Sequence, residues 1–308
     1  MGRRLWWVAA VAMLAGCASV PAPEPVGQEP TRRAGNLQRL RERARVVLAN
    51  YDRAAGDAQL VVLWGQEATV AGTLEPRNEH LKTAVDAGRL EAAGELPATP
   101  REQGEAVWTG GRRLSLPLLS APEALRLLAV DDDCPECVRH PVTGARLTTM
   151  RVSTTRGPAA VPAWEFSLEG TKMRVLRMAL DSGPPVKVDP PAGGPDDLPD
   201  GAVAESARVD GKRLTVALIG AREGAGEPCG EDYVAEAVES DTAVAVLVRI
   251  RRYSGPTPSA PPGTEFGCLT AGHPRSATVT LAEPLNGRAV LEVQQGQPVP
   301  LVVGSGGE

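Results

Sequence analysis

The chain has 308 residues, a formal net charge of −5 and 42% hydrophobic residues, enough to build one large core or two ordinary ones. Ten aromatic residues (five Trp, three Tyr, two Phe) make a stacking platform for bases or sugars a poor fit. The acidic balance argues against nucleic acid as a partner.

The first sixteen residues have the three parts of a secretory signal. Arg3 and Arg4 are followed by the apolar run Leu5–Leu14 and then by the small residues Ala15 and Gly16. That run is too short to cross a bilayer, which takes roughly 20 apolar residues. Leu14-Ala15-Gly16-Cys17 resembles the lipobox of bacterial lipoproteins at all four positions. The resemblance implies cleavage before Cys17 and attachment of a diacylglyceryl group to its thiol, because only a thiol forms the thioether. Two or more acyl chains hold a protein firmly at a membrane. Arg3-Arg4 also fits a twin-arginine signal, but a pair of arginines is common in any n-region. Loss of Arg3 and Arg4 takes the net charge from −5 to −7.

Residues 17–35 carry Pro21, Pro23, Pro25 and Pro30 among small and polar residues and read as an extended tether. Such a tether reaches about 60 Å. Residues 36–182 read as an α+β part. Asn36–Tyr51 predicts a helix, with Leu37, Leu40, Ala44, Val47, Leu48 and Tyr51 on one face. Arg39, Arg41, Arg43 and Arg45 fall off that face and read as a solvated side; contact with anionic lipid is the alternative. Strands are predicted over Gln59–Trp64 and Glu67–Ala71, and shorter ones near Arg89–Glu95, Ala106–Trp108 and Arg112–Leu116. Ser120-Ala121-Pro122-Glu123 is a capping box with Pro in the first turn, so a helix follows and stops before Asp131. Ala145–Ser153, Val161–Leu168 and Thr171–Leu180 read as three strands, the last two joined by a turn at Glu169-Gly170.

Residues 183–202 are rich in proline and read as a linker. Residues 203–304 read as an all-β part, with alternation over Leu214–Leu218 and Ala277–Leu281. Ala243–Val248 is continuously apolar, as in a central buried strand. Asn286-Gly287 predicts a hairpin leading into Ala289–Val293, and Pro298–Val303 predicts an edge strand. The fold class is therefore α+β, predominantly antiparallel β, with a β-sandwich-like C-terminal part.

Apart from Cys17 there are four cysteines, Cys134, Cys137, Cys229 and Cys268, and an even number in an exported chain reads as disulfides. Three pairings are possible. Cys134–Cys137 and Cys229–Cys268 keep each bridge within its own part, and the second closes the proline-rich excursion Ser254–Gly263. Cys134-Pro135-Glu136-Cys137 also has the spacing of a thiol–disulfide exchange motif. A helix precedes it rather than follows it, however, and Asp131, Asp132 and Asp133 oppose thiolate formation. His140 completes a C-x2-C-x2-H run that zinc could use, but no second Cys/His pair at zinc spacing exists. The Asp131–Asp133 run lacks the spaced ligands of a calcium loop. Asp196, Asp197 and Asp200 belong to the linker. There is no G-x-S-x-G elbow, and His80, His140 and His273 are the only histidine bases. A hydrolase using carboxylates or a metal remains the enzymatic alternative. The pattern as a whole points to a non-enzymatic, membrane-anchored binding or cell-envelope interaction module, with no cofactor assigned.

Cys229-Gly230-Glu231-Asp232-Tyr233, Pro284-Leu285-Asn286-Gly287-Arg288 and Pro162-Ala163-Trp164-Glu165-Phe166 resemble segments of uncharacterised lipoproteins of GC-rich actinobacteria. That resemblance implies an address on the outer face of the cytoplasmic membrane and fits a Cys229–Cys268 bridge. It implies no activity.

Overall fold

A computed structural model describes residues 29–63, 65–73, 79–99, 101–129, 138–193, 201–256, 258–259, 266–268 and 271–302. Within these residues the chain is mainly antiparallel β with few helices, in the sandwich-like α+β class that the hydropathy pattern predicts. No helix among them is long and apolar enough to cross a membrane.

Helix α1 spans Glu29–Ala55, so its first turns take in residues expected in the tether. Pro30 is compatible with a first helical turn, where its missing N–H would have no partner anyway. Leu40, Ala44, Val47, Leu48 and Tyr51 are buried, as their spacing predicts.

The first sheet has seven strands: β1 (Ala68–Ala71), β2 (Leu90–Ala92), β3 (Gln103–Trp108), β4 (Arg113–Pro117), β5 (His140–Thr154), β6 (Gly157–Leu168) and β7 (Arg174–Met178). Their order is β1-β7-β6-β3-β4, with β5 on the other edge of β6 and β2 parallel to the start of β5. Val62 makes only an isolated bridge to Thr154, so the strand expected over Gln59–Trp64 is reduced to that contact among its described residues. Pro162 lies in the central strand β6 without weakening it. It sits where β6 changes partner from β3 to β7, so its missing N–H interrupts neither ladder, and its carbonyl accepts the Ala179 N–H at 2.8 Å. Helix α2 (Glu79–Asp86), which the sequence reading missed, buries Leu81 and Ala84. Helix α3 (Ala121–Arg126) carries the predicted capping box, with the Ser120 side chain accepting from the Glu123 N–H and the Glu123 side chain accepting from the Ser120 N–H.

The second part has two sheets. One is β13 (His273–Thr280), β10 (Arg213–Gly220) and β9 (Ser206–Asp210), in that order. The other is β11 (Glu231–Glu239), β12 (Ala243–Arg252) and β14 (Ala289–Glu292), with β8 (Gly201–Ala202) paired to the far end of β12. The Asn286-Gly287 turn forms, with φ of 48° and 83°, but it does not make the expected hairpin. It carries the chain from one sheet to the other, and β14 then runs parallel to β12. Pro298–Val302 likewise forms isolated bridges to Leu291 and Ala207 rather than an edge strand, stitching the sheets together.

Strand β12 is buried on both faces. Val244, Val246 and Val248 face the three-stranded sheet, packing with Leu214, Val216 and Leu218. Ala243, Ala245 and Leu247 face the opposite way, against Leu40, Ala44, Val47 and Leu48 of α1. The helix assigned by sequence to residues 36–182 thus packs on the second part. The described stretch of the expected linker is also packed rather than free: Val188 is 4% exposed and belongs to the same core.

Arg43 explains how that stretch is held, and it corrects the reading of α1's arginines as solvated. Arg43 is 8% exposed, and its guanidinium donates to the carbonyls of Val293 (3.0 Å), Gln294 (2.6 Å), Ala192 (2.7 Å) and Gly193 (3.1 Å). Arg41 pairs with Glu236 of β11 at 2.7 Å. Arg45 is exposed, as expected. Truncating Arg43 strands buried carbonyls, so Arg43→Ala is expected to lose about 3 kcal/mol or more of stability, and Arg45→Ala less than about 0.5 kcal/mol. Urea denaturation of both variants checks this, and equal losses would contradict it.

Candidate functional site

A cleft of 750 Å³ lies at one end of the second part. It is built where β10 ends, β11 begins, β12 ends and β13 begins. Cys229 and Cys268 are joined there, with Cα atoms 5.5 Å apart, and their bridge forms part of the wall. Of the expected disulfides this is the one that falls on described residues. Cys134, Cys137 and Cys17 lie outside them, as do Asp131, Asp132, Asp133, Asp196, Asp197 and Asp200.

One side of the cleft is apolar. Ile219 is 49% exposed and Phe266 41% exposed, and both face this space with Pro258 and Tyr253. Large apolar side chains left open beside a concavity mark a surface that gains by being covered.

The polar end is a fixed network. Tyr233 donates its hydroxyl to Glu231 at 2.6 Å and accepts the Ala221 N–H at 2.7 Å. Burial raises the Tyr233 pKa above the usual value, and the bond to Glu231 adds to that. Arg275 lies over the Tyr233 ring, 5.3 Å from its centre, and donates to the carbonyls of Ala221 (2.7 Å) and Arg222 (2.8 Å). The other oxygen of Glu231 pairs with Arg252 at 3.2 Å. Gly220 must be glycine, because a Cβ there would lie 1.9 Å from the Tyr233 hydroxyl oxygen. The loop from Ala221 to Glu231 is therefore held from both ends by side chains, and the bridge at Cys229 ties it down just before β11.

This arrangement can bind, but it has little with which to do chemistry. Glu231 is the one carboxylate among the lining residues, and both its oxygens are already engaged by Tyr233 and Arg252. The histidines do not converge here. His80 is exposed on α2, His140 opens β5 with Nε2 3.0 Å from the Glu169 carbonyl, and His273 opens β13. Among the described residues no three His, Cys, Asp or Glu gather as a metal would require.

The sequence reading singled out the segment Cys229–Tyr233 but not the roles of Glu231, Tyr233, Arg252 or Arg275. Their partners lie on other strands, and no spacing rule links Tyr233 to Arg275. Compared with protein-family models, curated proteins and solved structures, the chain matches none.

The bridge closes a loop with a sequence separation of 39. Replacing both cysteines (Cys229→Ser with Cys268→Ser) is expected to lose about 4 kcal/mol of stability on loop-entropy grounds. Unfolding curves of the double variant check this, and an unchanged midpoint would contradict it.

Proposed function

We propose that this protein is a lipid-anchored extracytoplasmic lipoprotein on the outer face of the cytoplasmic membrane. It acts there as a non-enzymatic binding module for an envelope component or small ligand. The observation that carries the binding role is the braced 750 Å³ cleft, with Ile219 and Phe266 open on one side and the Glu231–Arg252 pair fixed at the other. Such a site suits a ligand with an apolar group and a polar end. The anchor rests on the signal-like start and on Leu14-Ala15-Gly16-Cys17. A disulfide on the cleft wall agrees with an oxidising compartment.

One preparation tests each half. Native protein extracted from membranes is expected to begin at Cys17 and to carry a diacylglyceryl mass there; an unmodified or uncleaved start would contradict the anchor. The chain from Ala18 onward is expected to bind the neutral apolar probe N-phenyl-1-naphthylamine. Ile219→Ser and Phe266→Ser should each weaken that binding by about tenfold, the scale of one lost apolar side chain. Binding absent from the parent chain, or equal in the variants, would contradict the cleft.

A further inference from the structure

A second, separate site lies at the junction of the two parts. Arg112 follows the β3–β4 turn, and its guanidinium lies over the Trp108 ring, 5.9 Å from the centre. Arg156 occupies the β5–β6 turn, where its N–H donates to the Thr154 hydroxyl at 3.1 Å and its Nη1 donates to the Gln59 carbonyl at 3.2 Å. Both guanidinium groups reach the same point on the second part, the Gly287 turn. A Cβ on Gly287 would lie 2.9 Å from Arg112 Nη1 and 3.9 Å from Arg156 Nε.

These two cations differ from the arginines that are neutralised by a neighbouring glutamate. Arg41, Arg113, Arg146, Arg252 and Arg288 each pair with a glutamate. Among the described residues no carboxylate forms an ion pair with Arg112 or Arg156. Burial, then the charge of Arg112, lowers the Arg156 pKa from its usual value. Arg156 also lines two cavities. One, of 250 Å³, includes Asp52, Asp241 and Arg288; Asp52 takes the Thr242 hydroxyl, and Arg288 is neutralised by Glu239. The other, of 450 Å³, has Trp108 and Pro158 on its walls and no acidic residue.

We propose that Arg112 and Arg156, converging over the Gly287 turn, form a binding site for a phosphate oxyanion. Two planar forks on separate hairpins, neither in an ion pair, suit an oxyanion that accepts from both, and the 450 Å³ cavity beside Arg156 offers an approach without the carboxylates of Asp52 and Asp241. Either inorganic phosphate or the phosphodiester of a lipid headgroup supplies that chemistry. The site does not depend on the cleft or on its ligand.

The test uses the chain from Ala18 onward, titrated calorimetrically with inorganic phosphate at low salt. The expected result is saturable binding that weakens by about tenfold or more in Arg112→Gln and in Arg156→Gln, and that is unchanged in Arg113→Gln, whose arginine already pairs with Glu105. Phosphate should also raise the thermal midpoint of the parent chain and leave that of the folded double variant unmoved. Co-sedimentation with phosphatidylcholine vesicles, with and without phosphatidylglycerol, separates the sources. Retention that needs both phosphatidylglycerol and the arginine pair identifies a headgroup. Saturable phosphate binding without such retention identifies the free anion. If neither phosphate nor the anionic vesicles distinguishes the parent chain from the double variant, the proposal is overturned.

Discussion

A strand buried on both faces needs two covers, and β12 draws one from a strand shortly before it in sequence and the other from a helix near the start of the chain. Its valines at 244, 246 and 248 pack on β10, while Ala243, Ala245 and Leu247 pack on α1. Each valine and Leu247 contributes on the order of 1.5–3 kcal/mol when fully buried and each alanine about 0.8 kcal/mol or less, so uncovering a face of β12 together with the residues packed on it would be a large deficit against a total stability of only about 5–15 kcal/mol. Helix α1 therefore belongs energetically with the last third of the chain. The seven-stranded sheet is an excursion between these two partners rather than a domain that begins with the helix.

That constraint accounts for features that otherwise look unrelated. Arg43 reaches from α1 to the end of β14 and to Ala192 and Gly193, fixing the chain's return to the second part. Glu292, 2% exposed, closes the following turn by accepting the N–H groups of Gln294 (2.8 Å) and Gln295 (2.6 Å). Burial raises the Glu292 pKa despite those donors, so its proton is held more tightly in the folded chain. Its contribution to stability accordingly falls as pH rises from the usual glutamate value through the raised one. The cleft sits at the end of this assembly remote from the α1 contact in register, where β11 starts opposite the last residues of β12. Rigid strands position it, and a loop pinned by Tyr233, Arg275 and the disulfide shapes it.

Much of this was legible in sequence because it depends on local rules. The spacing of Leu40, Ala44, Val47 and Tyr51 gives α1, the Ser120 box gives α3, and the unbroken apolar run Ala243–Val248 gives a central strand. What was not legible depends on distant partners. Asn286-Gly287 does specify a tight turn, but nothing local says that its flanking strands join different sheets. Arg43 lies on the flank of α1's apolar stripe, and only carbonyls some 150 and 250 residues away turn it from a surface residue into a buried one. Helix α2 was missed because eight residues give the 3.6 period too few repeats to stand out. At the cleft, the cysteine count and position gave the bridge, while the Glu231–Arg252 pair needed the register of β11 against β12.

The dependence of β12 on α1 is most directly tested by native-state hydrogen exchange on the chain from Ala18 onward and on a chain that starts at Gly56. Removing α1 is expected to collapse the protection of the Ala243–Val248 amides toward that of an unfolded chain, while β5 and β6 of the first sheet keep most of theirs. Undiminished protection of Ala243–Val248 without the helix would contradict it.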